Sequence, residues 1–348
     1  MTALGAFLER EIEAGSFPGG AALVGTADGV LAEAVAGAAA VEPSFVPAAA
    51  ETLWDLASLT KPLCTGALVR ENAGALPLDA PPGRYLPEWK KTRFEDITLE
   101  RLLTHTSGLP AWYPVYVGGE GAKAYRRTLS GIEPDAAPGE RVIYSDLNFL
   151  VLGAILEEVL GAPIEAAFAA AVAGPAGSAS RFHPPDPAGC AATEKDDRFE
   201  RALTEARGLA YAGFRRGVVR GEVHDGNAFR RGGAAGHAGL FGTARDVWAL
   251  ARTWLEPGRA AYWSDRTTDL AEARGLGWQG RRGAGSAIGR MSPRAFGHTG
   301  FTGTSLWVDP DTDRVLVLLT NRIHPEVREI RFNEVRQRFH EAAYAAFA

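Results

Sequence analysis

Residues 55–62 read DLASLTKP, which places the hydroxyl of Ser58 three residues before the amine of Lys61. Residues three apart share one face of a helix, so the lysine can take the serine proton if burial lowers its pKa. Proline is tolerated only in the first helical turn, so Pro62 predicts a helix that begins near Ser58. Free N–H groups there would favour a nucleophile. Short motifs also arise by chance, and Ser58 or Thr60 acting as a plain helix cap is the alternative.

The composition is that of an ordinary globular protein with a small ligand. The 348 residues are 46% hydrophobic and 23% charged, with a net charge of −5. This acidic balance argues against nucleic acid or an anionic membrane surface as the main partner. We therefore expect a small-molecule or peptide substrate, and the sequence predicts no oligomeric state. Cys64 and Cys190 have no CxxC or zinc-ligand spacing, so both are expected to be buried apolar side chains.

The sequence predicts neither an export signal nor a membrane span. Charges between Glu9 and Glu13 interrupt any apolar signal-peptide core. No apolar run approaches the roughly 20 residues that cross a bilayer. The expected location is cytoplasmic, or periplasmic or exported if a leader was trimmed.

Apolar periodicity separates strand-forming ends from a helical middle. Asp28-Gly29 and residues 309–313 are hairpin-turn signals between short apolar runs. Helical spacing predominates between them, at 63–73, 98–105, 120–130, 145–160, 163–173 and 244–255. We predict an α/β fold in which residues 1–62 and 258–348 form one sheet domain and residues 63–257 form a mostly helical inserted domain.

Two further stretches offer the groups that a nucleophilic serine needs, which are a base, a second proton carrier and an oxyanion site. Tyr144 and Asp146 lie where a helix is predicted to begin, and a tyrosine there relays protons if cations lower its pKa. The alternative is a half-buried aromatic beside an N-cap. Residues 297–305 read GHTGFTGTS before a predicted strand, so a substrate can approach their glycines. A plain bulge with a surface His298 is the alternative.

Together these stretches resemble the serine β-lactamase and penicillin-binding-protein superfamily, in particular its class C β-lactamase-like branch. Ser58-Leu59-Thr60-Lys61 matches SxxK in full. Tyr144-Ser145-Asp146 matches Tyr-x-Asn with Asp in place of Asn, and His298-Thr299-Gly300 matches Lys-Thr-Gly with His in place of Lys. The likeness covers nearly the whole chain, including LTHTSGL at 103–109. It implies a β-lactamase/DD-peptidase-like fold, with an antiparallel sheet flanked by helices and an inserted all-helical domain.

The resemblance also implies acyl transfer through a serine ester, on β-lactams or D-Ala-type peptides, without a metal or other cofactor. Ser58 would attack a carbonyl, and Lys61 and Tyr144 would move its proton to the leaving group. The N–H groups of Ser58 and Phe301 would hold the oxyanion. The predicted substrate-binding residues are Asp146, His298, Thr299, Gly300 and Phe301.

Two departures from the family pattern limit the substrate prediction. An ionised Asp146 would raise the pKa of Lys61 and make it a poorer base. The family lysine helps to hold a substrate carboxylate, whereas His298 is only partly charged near neutral pH. A strong β-lactamase is therefore less expected than a weak one, a carboxylesterase or a D-aminopeptidase. A penicillin-binding module without turnover is a third hypothesis.

His224, Asp225 and His237 are candidate metal ligands by residue type. No HExxH-like spacing supports a metal site, so we expect them to hydrogen-bond a long loop near the cleft. They lie within residues 197–236, a polar and glycine-rich stretch that is predicted to be a surface excursion. The absence of GxSxG from the sequence disfavours an α/β-hydrolase.

Overall fold

A seven-stranded antiparallel sheet joins the two ends of the chain. The computed structural model describes residues 2–90, 92, 94–119 and 121–346. The strands are β1 Gly19–Gly25, β2 Val30–Ala40, β3 Val46–Pro47, β4 Trp54–Asp55, β5 Ala192–Lys195, β6 Val218–Arg220, β7 Phe241–Gly242, β8 Gln279–Gly280, β9 Phe296–Thr299, β10 Ser305–Asp309 and β11 Arg314–Thr320. The order in the sheet is β3-β2-β1-β11-β10-β9-β8. The first and last long strands are therefore neighbours, with Gly20 opposite Thr320.

The strand residues alternate between two apolar cores. Ala21 and Leu23 of β1 face the larger core, whereas Ala22 and Val24 face a smaller core on the other side of the sheet. The smaller core contains apolar side chains from the first and last helices. The α-helices are α1 Ala3–Glu13, α2 Ala67–Glu71, α3 Leu99–Leu103, α4 Gly121–Ser130, α5 Asp146–Leu160, α6 Ile164–Phe168, α7 Gly174–Ala176, α8 Arg198–Ala206, α9 Gly226–Arg230, α10 Ala244–Arg252, α11 Ala260–Trp263 and α12 Phe332–Ala346.

The predicted antiparallel sheet flanked by helices is confirmed. The segment between β2 and β8 is mostly helical, and it also carries the two-stranded sheets β4-β7 and β5-β6. The predicted helix at 145–160 is α5. The helix predicted at 120–130 is α4, with Glu120 outside the described residues. Within those residues no single helix is long and apolar enough to cross a membrane, although α5 and residues 164–176, bent by 76°, together pass that test.

One apolar core spans both predicted domains. It contains Leu23 and Leu319 from the sheet together with Leu150 and Phe168 from the helical middle. The division at residues 62/63 and 257/258 stays a prediction. Both cysteines are buried and free, as their lack of motif spacing predicted.

The stretch 197–236 is more ordered than its composition predicted. It contains α8, β6 and α9, and it buries Glu200, Thr204 and Asn227. The many charged residues of α8 obscured its helical period, because much of its buried face is polar. This stretch forms part of the wall of the cleft that Ser58 lines.

Candidate active site

A cleft of about 480 Å³ brings the three sequence motifs together. Seven of the eight predicted site residues line it. They are Ser58, Tyr144, Asp146, His298, Thr299, Gly300 and Phe301. The eighth, Lys61, is fully buried, and its Nζ lies 2.7 Å from Ser58 Oγ. The cleft is therefore the place where the predicted chemistry is assembled.

Ser58 lies on a sharp helical turn, as Pro62 predicted. A 3₁₀ turn covers residues 57–59, and a π-helical stretch over residues 61–66 continues into α2. Ala57 has a φ of 47°, which is strained for a residue with a Cβ. The Asp55 carboxylate stabilises this turn because Oδ1 accepts the Ala57 N–H at 2.8 Å. The sequence reasoning did not single out Asp55, although it lies three residues before the nucleophile.

Asp55 also ties the turn to the neighbouring segment. Its Oδ2 accepts the His224 N–H at 2.7 Å, and its side chain is buried. Burial raises the pKa of this carboxyl, although the two N–H donors oppose the rise. The Asp55 side chain therefore connects the nucleophile turn to His224.

We expect Asp55→Asn to destabilise the protein by about 2 kcal/mol, because the amide cannot accept both N–H groups and leaves one buried donor unpaired. Urea unfolding measures the change. Asp28→Asn, at an exposed turn position, is the matched control and should stay within about 0.5 kcal/mol. Equal stabilities of the two variants would show that the Asp55 bonds do not hold the turn.

Lys61 is held as an ammonium ion. Its Nζ lies 2.7 Å from Asp146 Oδ1 and 3.3 Å from the His237 carbonyl oxygen, in addition to its bond to Ser58. Burial lowers the pKa of Lys61, but Asp146 and Tyr144 outweigh burial and the pKa lies above its usual value. The condition for lysine as the resting base, a pKa lowered by burial, is therefore not met.

Tyr144 and Asp146 are placed by the start of α5. The Ser145 N–H donates to His105 Nδ1 at 3.0 Å, and the Ser145 hydroxyl donates to the Pro110 carbonyl at 2.6 Å. The Tyr144 ring lies 4.6 Å from the His105 ring, and Lys61 Nζ lies 4.9 Å from the Tyr144 ring centre. Burial raises the pKa of the Tyr144 phenol, while Lys61 and the Ser58 hydroxyl oppose the rise. The phenol therefore rests in its neutral form beside a cation.

The glycine of the third motif packs closely against the turn that carries Ser58. A Cβ on Gly300 would lie 2.1 Å from Thr304 Oγ1 and 2.9 Å from the Leu56 carbonyl oxygen. The Thr304 hydroxyl donates to that same Leu56 carbonyl at 3.2 Å. Gly300 thus allows close contact between the end of β9 and the turn that carries Ser58. Gly300 also lines the cleft, and its role in substrate binding stays a prediction.

His298 is a buried, neutral imidazole and not a surface residue. Its Nδ1 lies 2.8 Å from the Thr299 carbonyl oxygen, so Nδ1 carries the hydrogen and Nε2 is an acceptor. No described residue pairs with Nε2. Burial, then Lys61 and Arg274, hold the pKa of His298 well below its usual value. His298 therefore cannot replace the charge of the family lysine.

The backbone N–H groups of Ser58 and Phe301 are the candidate donors of an oxyanion site. Among the described residues, neither the Ser58 N–H nor the Phe301 N–H donates to a protein acceptor. Both residues line the cleft. Two N–H groups that lack protein acceptors are available as the donors that the resemblance implies for a tetrahedral oxyanion.

The β-lactamase family model matches residues 5–338. The chain belongs to the β-lactamase family. It is a serine hydrolase of this fold. One relative of this β-lactamase-family protein is an N-acetylmuramyl-L-alanine amidase of Bacillus subtilis, 31% identical over 92% of this chain and 80% of the relative. Another is a putative D-alanyl-D-alanine carboxypeptidase of Escherichia coli, 30% identical over 83% of this chain and 73% of the relative.

Solved structures show the same β-lactamase-family fold at low sequence identity. EstCE1, described as a hydrolase with promiscuous acyltransferase activity, has a TM-score of 0.75 and 22% identity, over 98% of this chain and 97% of its own. A class C β-lactamase has a TM-score of 0.71 and 17% identity, over 97% of this chain and 95% of its own. These likenesses concern the fold alone.

The histidines beside the nucleophile form two carboxylate pairs in this β-lactamase-family protein. His224 Nε2 lies 2.9 Å from Glu194 Oε2, and His237 Nε2 lies 2.7 Å from Asp225 Oδ1. No group of three or more His, Cys, Asp or Glu side chains in the described ranges is arranged to hold a metal ion. As expected from the sequence, these residues make hydrogen bonds beside the cleft.

Sequence reasoning missed charged cleft residues that lie outside the family motifs. Glu200, Arg322 and Arg336 all line the cleft. They come from α8, from the segment after β11 and from α12. A residue brought to a site by long-range packing leaves no local pattern, so no signal in this single sequence marked these three.

Proposed function

We propose that the protein hydrolyses amide bonds in peptides or β-lactams that carry a free carboxylate, with D-alanyl peptides as the substrate class. The observation that carries the proposal is a pair of arginines in the cleft, Arg322 and Arg336. Within the described chain neither forms an ion pair with a carboxylate. Uncompensated guanidinium groups near a nucleophile favour an anionic substrate group.

Arg322 is the better placed of the two arginines for a ligand. Its Nε–H donates to the Phe301 carbonyl at 2.7 Å, and its guanidinium lies 5.0 Å from the Phe301 ring centre. Arg336 is more committed to structure, since its N–H groups donate to the Gly300 carbonyl and to Asn333. Burial lowers the pKa of Arg322 to about 10, so it stays charged at neutral pH. Arg322 therefore offers free donors beside the oxyanion site.

The geometry supports a proton relay in acylation. Ser58 Oγ attacks the substrate carbonyl carbon and gives its proton to Tyr144 Oη. Tyr144 passes its own proton to the leaving nitrogen as the C–N bond breaks. The Lys61 ammonium stabilises the negative charge that develops on the phenol oxygen, and Asp146 keeps Lys61 charged.

Deacylation runs the same relay in reverse. Water attacks the acyl-enzyme carbonyl and gives a proton to Tyr144, and Tyr144 returns a proton to Ser58 Oγ as the ester bond breaks. The Ser58 and Phe301 N–H groups hold the oxyanion in both steps. The names of the curated relatives, a carboxypeptidase and an amidase, support amide hydrolysis as the reaction.

We expect Nα,Nε-diacetyl-L-Lys-D-Ala-D-Ala to release D-alanine, and its C-terminal amide to react at least about 10-fold more slowly, because the amide lacks the anion that Arg322 recognises. In Arg322→Gln the ratio of the rate on the acid to the rate on the amide should fall towards one. Arg331→Gln, at an exposed position before α12, is the matched control and should keep the preference. Equal rates on the acid and the amide in the wild type would refute the carboxylate requirement.

An ester hydrolase is the second candidate, and the neutral His298 favours it. A site without the family lysine holds a carboxylate less firmly, so esters with neutral leaving groups remain compatible with the cleft. Turnover of p-nitrophenyl acetate without release of D-alanine from the peptide would favour the ester hydrolase. An acyl adduct without any turnover would favour the penicillin-binding module.

A further inference from the structure

The cleft has an acidic wall, formed by Glu200 of α8 and Asp225 at the start of α9. Asp225 Oδ1 accepts from His237 Nε2 at 2.7 Å and from the Ala228 N–H at 2.7 Å, and its side chain stays 21% exposed. The His237 carbonyl in turn accepts from Lys61, so Asp225 is three contacts from the nucleophile, through His237 and Lys61. Its two carboxylates line the same cleft as Ser58.

Glu200 carries a buried oxygen that no protein donor satisfies. Its side chain is 6% exposed and lines the cleft. Oε2 accepts the Gly226 N–H at 2.6 Å, whereas Oε1 has no partner among the described residues. Buried carboxylate oxygens are rarely left without donors, because desolvation is costly. The free oxygen points to a ligand donor.

The neighbouring hydroxyl groups of Thr204 and Tyr116 do not satisfy that oxygen in the structure. The Thr204 hydroxyl donates its one hydrogen to the Glu200 backbone carbonyl at 2.8 Å. The Tyr116 hydroxyl lies 2.9 Å from Thr204 Oγ1, so it must be the donor in that bond. The Thr204 hydrogen is thus used elsewhere. Tyr116 also interacts with the Glu200 carboxylate, but no described hydrogen bond from it reaches Oε1.

The nearby cations are also committed. Arg230 directs its N–H groups to Tyr211, Asp197, Gly213 and Gly226. His224 is paired with Glu194. Burial and the Asp225 charge raise the pKa of Glu200 to about 7, although His224 and Arg230 oppose the rise.

We propose that Glu200 and Asp225 form a subsite for a protonated amine on the acyl part of the substrate. The inference rests on the proposed amide hydrolysis and extends it, because it adds a required cation to the carboxylate bound near Arg322. The ammonium N–H groups supply the donor that Glu200 Oε1 lacks, and Asp225 balances the charge. Trp112 and Phe199 line the same cleft and provide apolar surface around the amine.

The amine has two possible positions in a peptide substrate, the N-terminus or the side chain of a diamino acid. Four probes distinguish them: D-Ala-D-Ala, N-acetyl-D-Ala-D-Ala, Nα-acetyl-L-Lys-D-Ala-D-Ala and Nα,Nε-diacetyl-L-Lys-D-Ala-D-Ala. Release of D-alanine is measured for each with the wild-type protein. We expect one amine-bearing probe to exceed its fully acetylated partner in kcat/KM by roughly 10- to 100-fold. The pair of probes whose kcat/KM values differ shows whether the subsite binds the N-terminal amine or the side-chain amine.

Glu200→Gln tests the assignment to this residue. Glutamine keeps the size of the side chain and an oxygen for the Gly226 N–H, so the amine-to-acetyl ratio should fall at least about tenfold. Glu205→Gln, at an exposed position on the same helix, is the control and should keep the wild-type ratio. Thermal unfolding of both variants checks that each is folded.

The outcomes separate this inference from the function on which it rests. Equal rates on the amine and acetylated probes would overturn the amine subsite while leaving the carboxypeptidase activity established. A loss in Glu200→Gln that is the same for both probes would assign Glu200 a structural role and overturn the inference. If no probe releases D-alanine while a simple ester is hydrolysed, the proposed amide hydrolysis fails, and the subsite with it.

Discussion

Ser58→Ala is expected to lower the turnover of every substrate by at least about 10³-fold, because it removes the cleft hydroxyl that lies 2.7 Å from Lys61 Nζ and forms the acyl-enzyme. The fold should not change, since the described partners of Ser58 Oγ are two side chains of the site, Lys61 and Tyr144. Hydrolysis rates measure the loss of turnover. The intact mass after a brief incubation with a penicillin shows whether an acyl-enzyme forms. The wild type should gain the mass of the drug or consume it.

The control for this experiment is Ser107→Ala, because Ser107 is a buried serine that does not line the cleft. Its hydroxyl donates to Asn148 Oδ1 at 2.6 Å, so its loss affects stability rather than acylation. A drug adduct on Ser58→Ala would assign the nucleophile to another residue. A wild type that neither binds nor consumes penicillin, yet hydrolyses peptides, would narrow the substrate class to peptides.

Lys61→Met is expected to reduce kcat by roughly 10³-fold and to destabilise the protein by about 3 kcal/mol. Methionine preserves much of the side-chain length but removes the cation that stabilises charge on Tyr144, and it leaves the Asp146 carboxylate unpaired. Urea unfolding and single-turnover acylation rates check the two effects separately.

The double variant Lys61→Met/Asp146→Asn separates stability from catalysis. A neutral amide no longer leaves a charge beside the apolar methionine, so most of the lost stability should return. Acylation should stay as slow as in the single variant, because the cation is still missing. If the double variant regains its rate, Lys61 serves only to neutralise Asp146 and has no role in the proton relay.

Local signals in the sequence predicted much of the fold. The apolar stripe of α5 and the hairpin signal at Asp28-Gly29 correspond to observed elements, because neighbouring residues determine both. The start of the nucleophile helix follows from Pro62 in the same way. By contrast, α8 escaped prediction because its buried positions include Glu200 and Thr204.

The candidate site also contains residues that local sequence patterns predicted and residues that they did not. The motifs around Ser58, Tyr144 and His298 could be found because each is contiguous in sequence. The protonation states of those residues could not be predicted from the sequence alone. His298 looks like an ordinary titrating histidine in the sequence, and only burial beside Lys61 and Arg274 shows that it stays neutral. Arg322 and Glu200 reach the cleft through long-range packing, which a single sequence does not encode in any short pattern.

The pairing of β1 with β11 has a consequence for synthesis of the protein on the ribosome. The β1-β2 hairpin is complete after the first 40 residues, but the partner on the other side of β1 is residues 314–320. At about 5–20 residues per second, translation leaves that edge of β1 unpaired for roughly 15–60 s. An open apolar strand edge is a template for association with other chains. The nascent protein therefore has a long interval in which a holdase chaperone that covers β1 would raise the yield of folded enzyme.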